Sequence, residues 1–187
     1  KHLKDLGESA HLSTALAWLK EKEFPMPVEE NETHAHAHGG CPGSKSMNFA
    51  PPAAEQAAGG GPQPSALTHW PVQLHLLSPM APQYQGADVL LSADCVAYAA
   101  GDFHSRWLSG KKLAIACPKL DDNQDVYVEK ITALIDEARI NTLTVAIMEV
   151  PCCRGLLQTA QAGLAASKRK IPLKAAVISL QGELVQE

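Results

Sequence analysis

The side chains best suited to redox or soft-metal chemistry are five cysteines, Cys41, Cys95, Cys117, Cys152 and Cys153, in a chain that also carries eight histidines. Thiolates hold soft metals and iron–sulfur clusters, and in pairs they exchange with disulfides. No two of the five form a Cys-x-x-Cys step, so local spacing alone is not a metal ladder. Cys152 and Cys153 are adjacent, and neighbouring cysteines make only a strained disulfide. An odd number of cysteines, without the spacing of a small secreted scaffold, points to a reducing, cytoplasmic compartment where thiols are kept for chemistry or metal.

Other groups sit beside these thiols in sequence. Asp94 precedes Cys95, Lys119 follows Cys117-Pro118, and Glu149 stands shortly before Cys152. A carboxylate or a cation there tunes a metal held by the thiols or relays a proton. His104 is a further candidate ligand or proton donor. His34, His36 and His38 alternate with alanine. In an extended segment all three point to one side, a composition that takes up divalent nickel, copper or zinc.

Some chemistries are disfavoured by what surrounds the first thiol. The turn Ser92-Ala93-Asp94-Cys95-Val96-Ala97 has no Gly-x-Gly-x-x-Gly cradle, so a standard dinucleotide phosphate site is not expected. No Gly-x-Ser-x-Gly elbow occurs either.

The elements that must position these residues alternate in type. Short apolar runs at 88–94, 112–117, 142–150 and 175–180 read as buried strands. Segments 96–108 (bent at Gly101), 124–138 and 155–167 read as helices. In 124–138, Tyr127, Ile131, Leu134, Ile135 and Ala138 form one stripe, and Asp121 and Asp122 sit where they favour the helix start. Segment 67–77 alternates weakly, as an edge strand or an extended lead-in. Strands alternating with helices imply a three-layer α/β fold, a mostly parallel, Rossmann-like sheet of about four strands with helices on both faces. Ligands of such sheets bind beyond the carboxyl ends of the strands. Cys95, Cys117 and the Cys152-Cys153 pair all fall at such ends, so four thiols share one edge.

The rest of the chain is of different material. Residues 1–27 read as a helix, with Leu3, Leu6, Leu12, Leu16 and Leu19 in period, a break near Gly7, and an end at Pro25 and Pro27. Residues 28–66 are rich in His, Gly and Pro and poor in large apolar side chains. That segment reads as a flexible arm carrying Cys41 between glycines and Pro-Gly. Residues 67–187 form the α/β domain. A net charge of −4 and a pI near 6.1 argue against nucleic-acid binding. No run reaches the length of a membrane span. The opening Lys1-His2-Leu3-Lys4 is expected of a processed chain or a piece of a longer one.

Six stretches together resemble a known family. They are His38-Gly39-Gly40-Cys41-Pro42-Gly43-Ser44, Trp70-Pro71-Val72-Gln73-Leu74, Ala93-Asp94-Cys95-Val96, Phe103-His104, Cys117-Pro118-Lys119-Leu120-Asp121-Asp122 and Glu149-Val150-Pro151-Cys152-Cys153. The family is the C-terminal domain of iron–sulfur proteins of anaerobic bacteria and archaea, often described as 4Fe-4S ferredoxins. In that family a ferredoxin module with a cysteine ladder precedes this domain. The present chain lacks the ladder, and its opening helix resembles the connector that follows the module. The resemblance implies that a ferredoxin module or another electron donor is the partner.

The expected function is a metal-binding redox domain. Cys41, Cys95, Cys117 and one or both of Cys152 and Cys153 would hold a 4Fe-4S cluster and pass electrons to a substrate or partner. Two other classes stay open. One is a zinc or other metal site in a structural or carrier module; the other is an enzyme whose open cluster or metal position acts on a small molecule.

Overall fold

A computed structural model describes residues 13–14, 17–18, 20–22, 46–49 and 63–187. The chain divides into two compact units, 1–39 and 40–187. In the first, Ser13, Thr14, Ala17, Trp18, Lys20 and Glu21 are helical, and the Lys22 N–H closes on the Trp18 carbonyl at 3.0 Å. The remainder of the expected 1–27 helix lies outside the described residues.

The second unit is built on a five-stranded sheet. Two short strands come first in the chain, β1 (Met47–Asn48) and β2 (His69–Trp70), paired antiparallel with Met47 opposite Trp70. The main sheet holds β3 (Asp88–Ala93), β4 (Lys112–Ala116), β5 (Thr142–Met148), β6 (Leu173–Ile178) and β7 (Leu184–Gln186). Its spatial order is β4-β3-β5-β6-β7, parallel except for β7. Val89, Leu90, Leu91, Leu143, Val145 and Ala146 are almost fully buried, as a sheet covered on both faces requires.

Helices follow the strands: α1 (Val96–Ala99), α2 (Asp125–Asp136) and α3 (Arg154–Ala166). The chain leaves β3 in one direction, to β4, and then crosses back to β5 and on to β6. Right-handed crossovers therefore place α1 on one face and α2 and α3 together on the other. The α2–α3 packing is close at Gly163, where a Cβ would lie 2.6 Å from Ile131 Cγ2. Tyr127, Ile131, Leu134 and Ile135 of α2 and Leu156, Ala160 and Gly163 of α3 are the buried stripe.

Several sequence expectations change in detail. The single bent helix over 96–108 is two pieces, since Ala100 is extended (φ −84°, ψ 103°) between α1 and a wide helical turn at Phe103–Leu108. The sheet has five strands rather than about four, because the short antiparallel β7 was too brief and too exposed to read. Strand β5 ends at Met148, so Glu149 and Val150 lead into the turn at Pro151–Cys153, where the residue before proline is held extended. Strand β6 begins at Leu173 and ends at Ile178. Segment 67–77 takes both expected forms in turn. His69–Trp70 pairs with β1, and Gln73 then bridges Ile115 alongside β4.

Candidate functional site

The sheet order creates a topological switch. Strand β3 lies between β4 and β5, and the connections leave it in opposite directions. In open α/β sheets the crevice beyond the carboxyl ends at such a point is where ligands bind. Cys95 stands two residues past the end of β3, Cys117 directly follows β4, and Cys152 and Cys153 occupy the turn after β5. The structure thus brings these four thiols to the edge the sequence predicted. All four are free.

Three of them follow the paired strands β3 and β5. Cys153 is buried, 5% exposed, among the core residues. Burial pushes its thiol above the ordinary value, the Met148 backbone opposes this, and the Cys152 side chain, hydrogen-bonded to it, and the Cys95 charge push it further. Cys95 and Cys152 are exposed. The Cys153 N–H is held by the Val150 carbonyl at 3.1 Å, which closes the turn that feeds α3.

Cys117 belongs to a second, adjoining group. Its N–H donates to Asp121 Oδ2 at 2.8 Å, and Tyr127 Oη donates to the same oxygen at 2.6 Å. The Cys117 carbonyl accepts from the amides of Leu120 and Asp121 at 3.2 and 2.9 Å. Gln124 Nε2 donates to the Pro118 carbonyl. Tyr127 is raised far above its ordinary pKa, first by burial, then by the Asp121 hydrogen bond and the charges of Asp121, Asp94 and Cys117. Asp94 is raised too, by burial and then by Asp121, and its Oδ1 is buried without a hydrogen-bond partner. Pro118 joins the two groups, since a Cβ on Gly155, at the start of α3, would lie 3.1 Å from Pro118 Cβ.

This corrects the reading of Asp121. It does not cap α2, which starts at Asp125 with no side-chain cap. Its carboxylate faces back to hold the Cys117 turn. A signal existed in the sequence, an Asp four residues after the thiol, but such spacing serves turn and helix start alike. Tyr127 was read only as part of the helix stripe, and its hydroxyl contact depends on the loop conformation.

The remaining candidates separate. Lys119 is exposed on the Cys117 loop. Glu149 is exposed, and its Oε1 accepts the Leu180 N–H at 2.9 Å, tying the turn after β5 to the turn after β6. His104 lies in the helical turn after α1, where Nδ1 accepts the Ala66 N–H at 3.1 Å. It lines a hollow of about 120 Å³ with Gln63, Ala97 and Ser105. Cys41, His34, His36 and His38 lie outside the described residues. Among the described residues, no three His, Cys, Asp or Glu side chains already stand in a metal-holding arrangement, and no helix is long and apolar enough to cross a membrane.

The donor set still suits a soft-metal group. Three thiols follow the two strands at the switch point, one of them buried, and a fourth follows the neighbouring strand β4. Thiolates are the ligands that iron–sulfur clusters and zinc share.

Comparison with known proteins gives a family and a relative. An uncharacterized protein of Archaeoglobus fulgidus is 36% identical over 87 residues, 46% of this chain and 60% of the relative. The matched stretch therefore spans less than two-thirds of that protein. No solved structure matches the chain. Residues 81–187, which contain the whole five-stranded sheet, match the Rossmann-like domain, and the chain belongs to that family.

Proposed function

We propose that the carboxyl edge of the sheet is a thiolate metal centre of a redox domain, with a 4Fe-4S cluster as its group. The observation that carries this reading is that Cys95, Cys117 and the Cys152-Cys153 pair follow the carboxyl ends of three neighbouring strands, at the topological switch of the sheet. When bound, such a cluster supplies one-electron transfer.

The chain's own residues have distinct parts in this reading. Cys95, Cys117 and one or both of Cys152 and Cys153 supply thiolates from three neighbouring strand ends. Cys41, outside the described residues, is the further ligand. Asp121 holds the Cys117 backbone in place, as outer-shell groups hold metal ligands elsewhere. Lys119 offsets negative charge on the same loop. Exposure of Cys95 and Cys152 keeps the edge open to a donor, in this reading a ferredoxin module or similar protein. Free thiols of this kind persist in a reducing cytoplasm.

Iron and acid-labile sulfide analysis of the full chain, produced without oxygen and without a histidine tag, tests the proposal. Iron and sulfide in equal amounts, lost together in Cys95→Ser, is the expected result. Zinc without sulfide would replace the redox reading with a structural or carrier site. No bound metal after reconstitution with iron and sulfide would overturn both.

A further inference from the structure

Beside β4, the outer strand of the sheet, the segment ahead of β3 makes contacts that the thiolate reading leaves unused. Gln73 bridges Ile115 in parallel, the Ile115 N–H donates to the Val72 carbonyl at 2.8 Å, and the Leu74 N–H donates to the Ile115 carbonyl at 2.9 Å. Val72 and Leu74 are buried, whereas His75 is exposed. We infer that His75 is a positioning residue for Cys117: it holds the loop after β4 from outside, through the Asp122 carbonyl and the Tyr127 ring, and so restrains the thiol at the start of that loop. The inference concerns the loop of the metal-free protein and does not rest on a cluster being bound there.

The His75 side chain makes two contacts, one with the loop and one with the helix that follows it. Its Nε2 lies 2.9 Å from the carbonyl oxygen of Asp122, 47 positions further along the chain. A carbonyl only accepts, so Nε2 carries the proton and donates it. The His75 ring lies against Tyr127 of α2, with centroids 4.5 Å apart and planes at 52°. Tyr127 is the residue whose hydroxyl holds Asp121, and Asp121 in turn holds the Cys117 N–H. One contact thus grips the loop by its backbone at Asp122. The other steadies the ring that anchors Asp121.

An anchor must itself be held. Lys130, also on α2, donates from Nζ to the carbonyls of Leu74 at 2.9 Å and Leu77 at 3.0 Å, and to the carbonyl of His75 itself. The Ile115 bonds hold the same stretch to β4. The His75 backbone therefore has a fixed place without help from the Cys117 loop. The loop is less well framed: Leu120 is 80% exposed, and Cys117 itself is half-buried. Segments with few buried contacts open locally, well below the free energy of global unfolding. One added contact then shifts how often the Cys117 thiol is uncovered.

Thiol alkylation reads that opening. The full chain, reduced and kept metal-free with a chelator, is treated with iodoacetamide, and mass spectrometry of its peptides follows Cys117 and Cys153 separately. His75→Ala is expected to raise the Cys117 rate about two- to tenfold, the range by which one net hydrogen bond shifts an opening equilibrium. Cys153, buried among the core residues, reports any general loosening and is expected to keep its rate. His75→Gln, whose amide nitrogen can still donate to the Asp122 carbonyl, is expected to stay closer to wild type. An unchanged Cys117 rate in His75→Ala overturns the inference. So does an equal rise at Cys153, and so does a wild-type Cys117 that reacts as fast as it does in the urea-unfolded chain. Because metal is absent throughout, this result and the iron and sulfide analysis can fail separately.

Discussion

Tyr127 Oη donates to Asp121 Oδ2 at 2.6 Å, and the same oxygen accepts the Cys117 amide at 2.8 Å. A helix residue thus reaches across to set the backbone of a thiol at the end of β4. The contact needs the loop to fold back from α2, and Gln124, bonded to the Pro118 carbonyl, closes that loop from the other side.

Removal of the phenol hydroxyl tests this latch. Tyr127→Phe deletes a hydrogen bond to a charged acceptor, which contributes about 1.5–3 kcal/mol net. Urea unfolding of the variant should show a loss of that size. An unchanged midpoint would mean that the Tyr127–Asp121 contact contributes nothing to stability.

Asp121→Asn addresses the metal reading. The amide oxygen can still accept both donors but lacks the charge that strengthens both bonds. Outer-shell substitutions of this type lower metal affinity about 10–100-fold. A competition titration with a chelator should show a decrease in that range, with the fold intact by circular dichroism. Wild-type affinity in the variant would remove Asp121 from the site.

Gly182 turns the chain between β6 and β7 at φ +87°, and a Cβ there would lie 2.2 Å from the Ala99 carbonyl oxygen. Two costs add in Gly182→Ala. A non-glycine residue at positive φ costs about 1–3 kcal/mol, and the backbone oxygen cannot move aside as a side chain can. The melting temperature should fall by several degrees, a shift of about 2–4 °C accompanying each kcal/mol in a domain of this size. By contrast, Gly110→Ala meets no neighbouring atom, though its φ is +76°, and should lose only the backbone part.

His69 sets a pH dependence of its own. Its Nε2 lies 3.1 Å from Tyr84 Oη and 3.0 Å from the Leu113 carbonyl, and Nδ1 is buried without a partner. Burial, helped by the Lys112 charge and opposed by the Leu113 carbonyl, lowers its pKa from the ordinary 6.5. The unfolded chain therefore binds a proton that the folded chain refuses. The His69 contribution is present in full above about pH 6.5 and is lost as pH falls below that value toward the folded pKa. Denaturation at a series of pH values should show this decline, and His69→Gln should flatten it. An equal slope in both proteins would place the titration elsewhere.

Much of the scaffold follows from periodicity and composition. The apolar runs of β3, β4 and β5 and the stripe Tyr127, Ile131, Leu134, Ile135 on α2 are properties of neighbouring residues, because strand and helix periods are local. The position of Cys95, Cys117, Cys152 and Cys153 at strand ends is local in the same sense, and the α/β class then puts them at one edge. The brief strand β7 left no such signal: it is held by pairing with β6, not by a buried face of its own.

What only the tertiary structure decided is which neighbours meet. Strand order is non-local, since it depends on how whole crossovers pack. That order put β3 between β4 and β5, so the turns that carry Cys95 and Cys153 follow neighbouring strands. The same packing buried one thiol and left another open, although both are cysteines just beyond a strand. It turned Asp121 from an expected helix cap into the anchor of Cys117, and gave Glu149 to the Leu180 amide. Short-range patterns determine which elements form. Burial, charge and hydrogen-bond partners depend on residues distant in the chain, and so on the folded arrangement.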